Sequence, residues 1–152
     1  MKKFLKYIFY TILLSYSLYG SKIAVATKVT GLVEIIPTGE KDFLKLKPGR
    51  VLSDGDKIRT GSSGFAAIIF IDDKSILKLK ENSEAVIAGQ RTAASISKKI
   101  NMDSGTVRAT VKKQNVDFII QTPTSVASVK GTDFWLLSDP ISGDEIIGLE
   151  GI

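Results

Sequence analysis

The sequence predicts an all-β protein, on three observations. Beyond residue 20, β-branched and apolar runs alternate with clusters of Gly, Asp, Asn, Ser or Pro. Those runs recur about every 8 to 12 residues, the spacing of short strands joined by tight turns. No stretch beyond residue 20 sustains a helical period, Gln90–Lys99 being the one weak candidate. The expected architecture is a single domain over residues 21–152, a sandwich or a short β-roll or solenoid, preceded by an N-terminal signal helix over residues 1–20.

The elements follow in chain order. Lys2, Lys3 and Lys6 precede the apolar, aromatic run Tyr7–Leu18, and Tyr19-Gly20-Ser21 follows it, the order of a secretory signal peptide. The run is about 12 residues, short of the roughly 20 that cross a bilayer, so cleavage near Gly20 is expected. An uncleaved anchor is the alternative, because Leu18 stands three residues before the cut, where a smaller side chain is commoner. Strands are then expected at Val29–Ile36, Val51-Leu52, Ile58-Arg59, Phe65–Ile71, Leu77–Leu79, Ala85–Ile87, Ile96–Met102, Thr106–Val111, Val116–Ile120, Phe134–Leu137 and Ile146–Leu149. Phe65–Ile71 is apolar throughout, which predicts a strand covered on both faces, and Asp72-Asp73-Lys74-Ser75 supplies the turn after it. In Thr106–Val111, Val107, Ala109 and Val111 take one face while Thr106, Arg108 and Thr110 take the other. The polar turn Lys112–Asn115 then suggests a hairpin with Val116–Ile120.

Composition narrows the chemistry. The 152 residues are 43% hydrophobic and 24% charged, ordinary for a globular protein. Cys and His are absent, which excludes disulfides, a diacylglyceryl anchor, Cys or His metal sites, cysteine nucleophiles and His-based triads. The net charge of +5 falls to +2 once the three lysines of the leader are set aside, so nucleic acid is not an expected partner.

Candidate sites are weak by spacing. Asp54-Gly55-Asp56 and Asp72-Asp73 are better explained by turn chemistry than by a hard cation, since a full calcium loop is missing. Thr60–Gly64 lacks the Gly-Lys-Ser/Thr continuation of a phosphate loop. Ser128 and Lys130 share a strand face, but spacing alone does not make a nucleophile. Lys78, Lys80, Lys98, Lys99, Lys112 and Lys113, interspersed with acids, read as a solvated strand face.

The order of the turn elements resembles the FecR domain, an extracytoplasmic module named after a bacterial iron-dicitrate regulator. The resemblance runs from Gly31-Leu32-Val33 through Leu46-Lys47-Pro48-Gly49 and Leu52–Thr60, then Gly64-Phe65-Ala66, Phe70-Ile71-Asp72, Leu77-Lys78-Leu79 and Asn82-Ser83. It continues with Asp103–Val107, Thr122–Ala127 and Gly131-Thr132-Asp133-Phe134. Departures are the longer Asp72–Ser75 turn, Lys130 in place of Arg before Gly-Thr, and Phe43 near the place of a Trp. The family's regulator resembles a cytoplasmic segment and membrane helix followed by this domain; here a signal segment precedes it, which implies no direct contact with a sigma factor. The chain stops at Glu150-Gly151-Ile152, inside what resembles the family's closing strand, so a domain truncated at its C-terminus, with its last strand unpaired, is expected.

The motif residues Gly55, Asp56, Thr122, Pro123, Gly131, Thr132 and Phe134 are expected to be structural. Gly55 and Gly131 suit positive φ or close approach, Asp56 and Thr132 suit turn amides, and Pro123 suits an extended exit from a strand ending at Gln121. The expected function is an exported, non-catalytic interaction module of the bacterial envelope, in sensing or signalling, that needs no cofactor or metal. It is expected to pair strand edges with an envelope protein, and to meet the membrane only through an uncleaved signal segment. A carbohydrate or cell-wall binding domain is the alternative, for which Phe43 and Trp135 would be the exposed aromatics while Phe65, Phe70, Phe118 and Phe134 form core. An enzyme with an unrecognised site is the third reading.

Overall fold

The computed structural model describes residues 20–151, so the expected signal segment lies, apart from Gly20, outside the described residues. Thirteen strands form the described part: β1 (Lys22–Thr30), β2 (Val33–Ile36), β3 (Leu44–Lys45), β4 (Val51–Ser53), β5 (Asp56–Thr60), β6 (Phe65–Phe70), β7 (Ile76–Leu79), β8 (Glu84–Arg91), β9 (Ile96–Thr110), β10 (Phe118–Gln121), β11 (Val126–Val129), β12 (Thr132–Asp139) and β13 (Gly143–Gly151). They belong to one open sheet with the path β3-β2-β5-β8-β9-β7-β6-β1-β4, to which β10-β11 and β12-β13 attach along β9. The sheet curls so that residues from both halves, such as Ile35, Ile58 and Ile87 on one and Ile23, Ile68 and Leu77 on the other, share a single buried cluster.

The curl originates in β9. From Ile96 to Met102 the buried residues are even-numbered (Ile96, Lys98, Ile100, Met102), whereas Val107, Ala109 and Val111 beyond are odd. Side chains alternate strictly along a strand, so that change of parity needs a local irregularity. Gly105 supplies it with φ +107, and the β8 partner strand shifts register at Glu84/Ala85 opposite. Ser83 fills the gap in the ladder: its hydroxyl accepts from Thr106 N at 2.9 Å and donates to Thr106 O at 3.1 Å. Before the bend β9 pairs with β8 and β10, and after it with β7 and β12.

Several expectations are corrected by this arrangement. Ile96–Met102 and Thr106–Val111 are one strand rather than two. Val29–Ile36 is broken into β1 and β2 at Gly31, whose φ of +68 turns the chain. Gln90–Lys99 contains no helix; it is the end of β8, a turn and the start of β9, closed by Thr92 N to Ser95 O at 2.8 Å. The expected hairpin of Thr106–Val111 with Val116–Ile120 does not form. β10 pairs instead in parallel with the first half of β9, Phe118 opposite Lys98, because the chain crosses from one half of the sheet to the other between the two strands.

β6 is central, between β1 and β7, yet it is not covered throughout: Ala66, Ile68 and Phe70 are fully buried while Phe65 and Ile69 are partly exposed. Phe70 meets the ring of Phe118 edge-on at 5.5 Å, tying the two halves together. The last strand is not unpaired either, since β13 pairs along its length with β12.

Candidate functional site

The motif residues fall into three separate places, two of them built by turn chemistry and the third by close strand packing. At the β4–β5 turn, Gly55 takes φ +88 and its amide bonds Ile87 O at 2.9 Å. Asp56 is buried, and its two carboxylate oxygens accept from Thr38 N at 2.9 Å and Ser53 N at 2.8 Å, joining the turn to the loop after β2. Asp54 completes this corner by accepting from Gly89 N at 2.9 Å.

At the β10–β11 turn, Thr122 is buried and its hydroxyl accepts the amides of Ser125 at 2.9 Å and Thr124 at 3.2 Å, while Pro123 is exposed at the tip. Asp144, on β13, accepts from the hydroxyls of Thr122 and Thr124, the latter at 2.6 Å. Those hydroxyl bonds, Thr122 first, hold its carboxyl well below the usual carboxylate range. One carboxylate thus pins the first turn of the β12–β13 hairpin to the β10–β11 turn. Thr124, Ser125 and Asp144 were not singled out as a group by the sequence, because Asp144 is about twenty residues away and pairs through the fold.

At the start of β12, Gly131 has no positive φ; a Cβ there would lie 3.1 Å from Lys113 Cα, so close approach is its constraint. Thr132 accepts from Val111 N through its carbonyl at 2.9 Å, and Phe134 is buried opposite Ala109. Between them Asp133 takes a two-pronged bond from Arg108, Nε at 2.9 Å and Nη2 at 2.7 Å. Arg108 lowers the Asp133 carboxyl below its ordinary value.

The acids and lysines weighed from sequence sort differently in space. Lys98 does not lie on a solvated face: its side chain is fully buried and its ammonium meets Asp72 Oδ2 at 2.8 Å, Asp73 Oδ2 at 2.9 Å, Gln114 Oε1 at 3.1 Å and Ile96 O at 3.1 Å. Asp72 and Asp73 therefore converge on an internal cation. Burial pushes the Asp72 carboxyl up, but its bonds to Lys98 and the Ile96 amide outweigh this and hold it below the usual value. Ser128 is exposed on β11, and Lys130 forms an exposed ion pair with Asp117 at 3.5 Å. Phe43 lies under Arg59 at 3.7 Å on one half of the sheet, while Trp135 on β12 carries Lys80 at 5.2 Å and Arg108 at 5.7 Å. The two aromatics form no shared platform.

β13 is an edge strand among the described residues. It hydrogen-bonds β12 on one side only, and Ile146, Ile147 and Leu149 are 51%, 41% and 49% exposed. Those residues point to both faces of the strand, so neither face is covered. Another edge strand, β11, exposes Val126 as well. Long, flat, apolar edges are usually blunted in proteins that do not use them.

The family model described as FecR protein matches residues 56–145, more than half of the chain. No curated protein and no solved structure matches it.

Proposed function

Since this chain belongs to the FecR protein family, we propose that it acts outside the cytoplasm as a non-catalytic sensing or signalling module, with residues 1–20 as its export signal and residues 21–152 as the working domain. It engages an envelope protein by taking an extended segment of that partner against β13. Family membership supports the regulatory class, and the observation that carries the binding mode is the β13 edge with its exposed Ile146, Ile147 and Leu149. In strand addition the main chain supplies affinity and alternate side chains supply selectivity. The segment that fits best is apolar at its centre and basic at its ends, because Glu145 and Glu150 bracket the exposed Ile and Leu residues.

A photo-crosslinking residue placed at Ile147 tests this in cells. The expected outcome is a covalent adduct in the envelope fraction, absent when the same residue replaces exposed Lys99 on β9, with a mature N-terminus at Ser21 by mass spectrometry. Recovery in the cytoplasm alone would overturn the location, and equal crosslinking from both positions would overturn the edge.

A further inference from the structure

The outer faces of the two halves of the sheet treat their cations differently. On the half that holds β2, β5 and β8, Lys57 meets Glu84 and Asp103, and Arg59 meets Glu34 at 2.7 Å. On the other half one row crosses five strands: Lys28 on β1, Ala67 on β6, Lys78 on β7, Arg108 on β9 and Trp135 on β12, each opposite the next. Residues opposite one another share a face, and this one is the solvent side, because Val107 and Ala109 on either side of Arg108 are buried. Among the described residues, Lys28, Lys78 and Lys80 take part in no ion pair. Two of them lie over aromatic rings instead, Lys28 at 5.8 Å from the centre of Phe65 and Lys80 at 5.2 Å from that of Trp135.

The centre of this face therefore holds Lys28, Lys78, Lys80 and Arg108 against one acid, Asp133, whose two oxygens Arg108 already occupies. Its surroundings are polarised. Glu81, Asp139 and Glu145 border the Leu137 end, whereas Lys112, Lys113 and Lys130, with Glu150, border the Thr110 end. We propose that the face binds an acidic polysaccharide, its carboxylates on Lys28, Lys78 and Lys80 and the apolar faces of its sugar rings on Phe65 and Trp135. The bordering acids repel such a polymer at the Leu137 end, so it leaves toward Lys112 and Lys113. A bilayer is a poorer match, because a face that enters lipid has an apolar centre and lysines at its rim, and here the lysines hold the centre. A nucleic acid would meet the same lysines; the choice of a sugar polymer over it rests on the extracytoplasmic reading of the chain. A partner strand pairs with β13 in the plane of the sheet, so a polymer lying on the face leaves that edge free.

Trp135 is the one tryptophan of the sequence, so its fluorescence reports on the face directly. The test titrates the chain, purified from the envelope in the form the cell makes, with polygalacturonate fragments. A saturable change in emission is expected, with affinity lowered about tenfold or more when ionic strength rises from about 0.05 M to about 0.5 M, and no change with dextran of the same length. Lys28→Gln, Lys78→Gln and Lys80→Gln together should weaken binding about tenfold or more while melting like the wild type. Lys99→Gln, exposed on the other half, should bind as the wild type does. No emission change together with no retention on immobilised polygalacturonate, equal binding of dextran, or a triple variant that binds unchanged would each overturn the inference. Tighter binding of oligodeoxythymidylate than of polygalacturonate would overturn it in favour of a nucleic acid, and binding of phosphatidylglycerol vesicles without polygalacturonate in favour of a bilayer. None of these outcomes bears on the location or on the β13 edge, which are read from fractionation and from the Ile147 crosslink.

Discussion

Lys98 offers the sharpest test of how the two halves of the sheet are held. The perturbation is Lys98→Met, which keeps the length and apolar stem but removes the ammonium from a site where it is fully buried. Asp72 and Asp73, only 14% and 16% exposed, would then face each other without their shared cation. Removing one partner of a buried ion pair ordinarily costs about 3 to 5 kcal/mol. The lower end applies here, because Asp72 keeps the Ile96 amide at 2.8 Å and Asp73 keeps the Ser75 amide and hydroxyl, each at 2.9 Å. A loss of about 3 kcal/mol corresponds to a melting point lower by roughly 10 °C for a domain of this size.

The pH dependence adds a second readout with a definite sign. In the wild type the folded pKa of Asp72 lies below its unfolded value of 3.8, so its contribution is present above that value and disappears as pH falls through the folded pKa. In Lys98→Met the cation is gone and burial dominates, so the folded pKa rises above the unfolded one. Acid then relieves the variant: its deficit relative to wild type should shrink as pH is lowered from 7 toward 4, and adding Asp72→Asn and Asp73→Asn should recover most of the loss at neutral pH. Urea unfolding of the wild type, the single variant and the triple variant at several pH values measures all of this. A single variant within about 0.5 kcal/mol of wild type, or one whose deficit grows in acid, would refute the reasoning.

Three further outcomes follow from the packing. Phe70→Asp should prevent stable folding, since it buries a charge at the contact with Phe118, whereas Ile69→Asp on the same strand should be tolerated better; equal thermal melts would sink the assignment. Gly131→Val should cost about 1 to 3 kcal/mol by pressing on Lys113 rather than through backbone strain, while Ser128→Ala and Lys130→Ala stay within about 0.5 kcal/mol by chemical denaturation. Asp144→Asn should speed hydrogen exchange at the Thr124 and Ser125 amides without global unfolding; because the Asp144 carboxyl titrates below the ordinary range, the difference from wild type is present above about pH 4 and fades in strong acid.

Individual residues show how far the sequence was legible. The alternation of Val107, Ala109 and Val111 named the buried face of β9 correctly, and Thr122-Pro123 marked the end of β10 at Gln121. Lys98 was equally readable by position, between Ile96 and Ile100 on the buried face, but residue type argued for solvent. Position prevailed because Asp72 and Asp73, about 25 residues away in sequence, converge on it through the curl of the sheet. The Asp144 pin and the Arg108–Asp133 bond carried no local signal, since each joins strands distant in sequence.

By itself the sequence determined most of the strands, the buried face of Thr106–Val111, the turn that needs Gly55, and the family, because these depend on side-chain alternation and on local backbone conformation. Only the tertiary structure decided that Ile96–Thr110 is one bent strand, that β10 runs parallel to it rather than folding back as a hairpin, and that β13 remains open along one edge. Alternation is blind to which strand lies alongside. The ladder partner is chosen by where the whole chain can bury its apolar faces together, and in this protein that choice turns on the reversal of parity at Gly105.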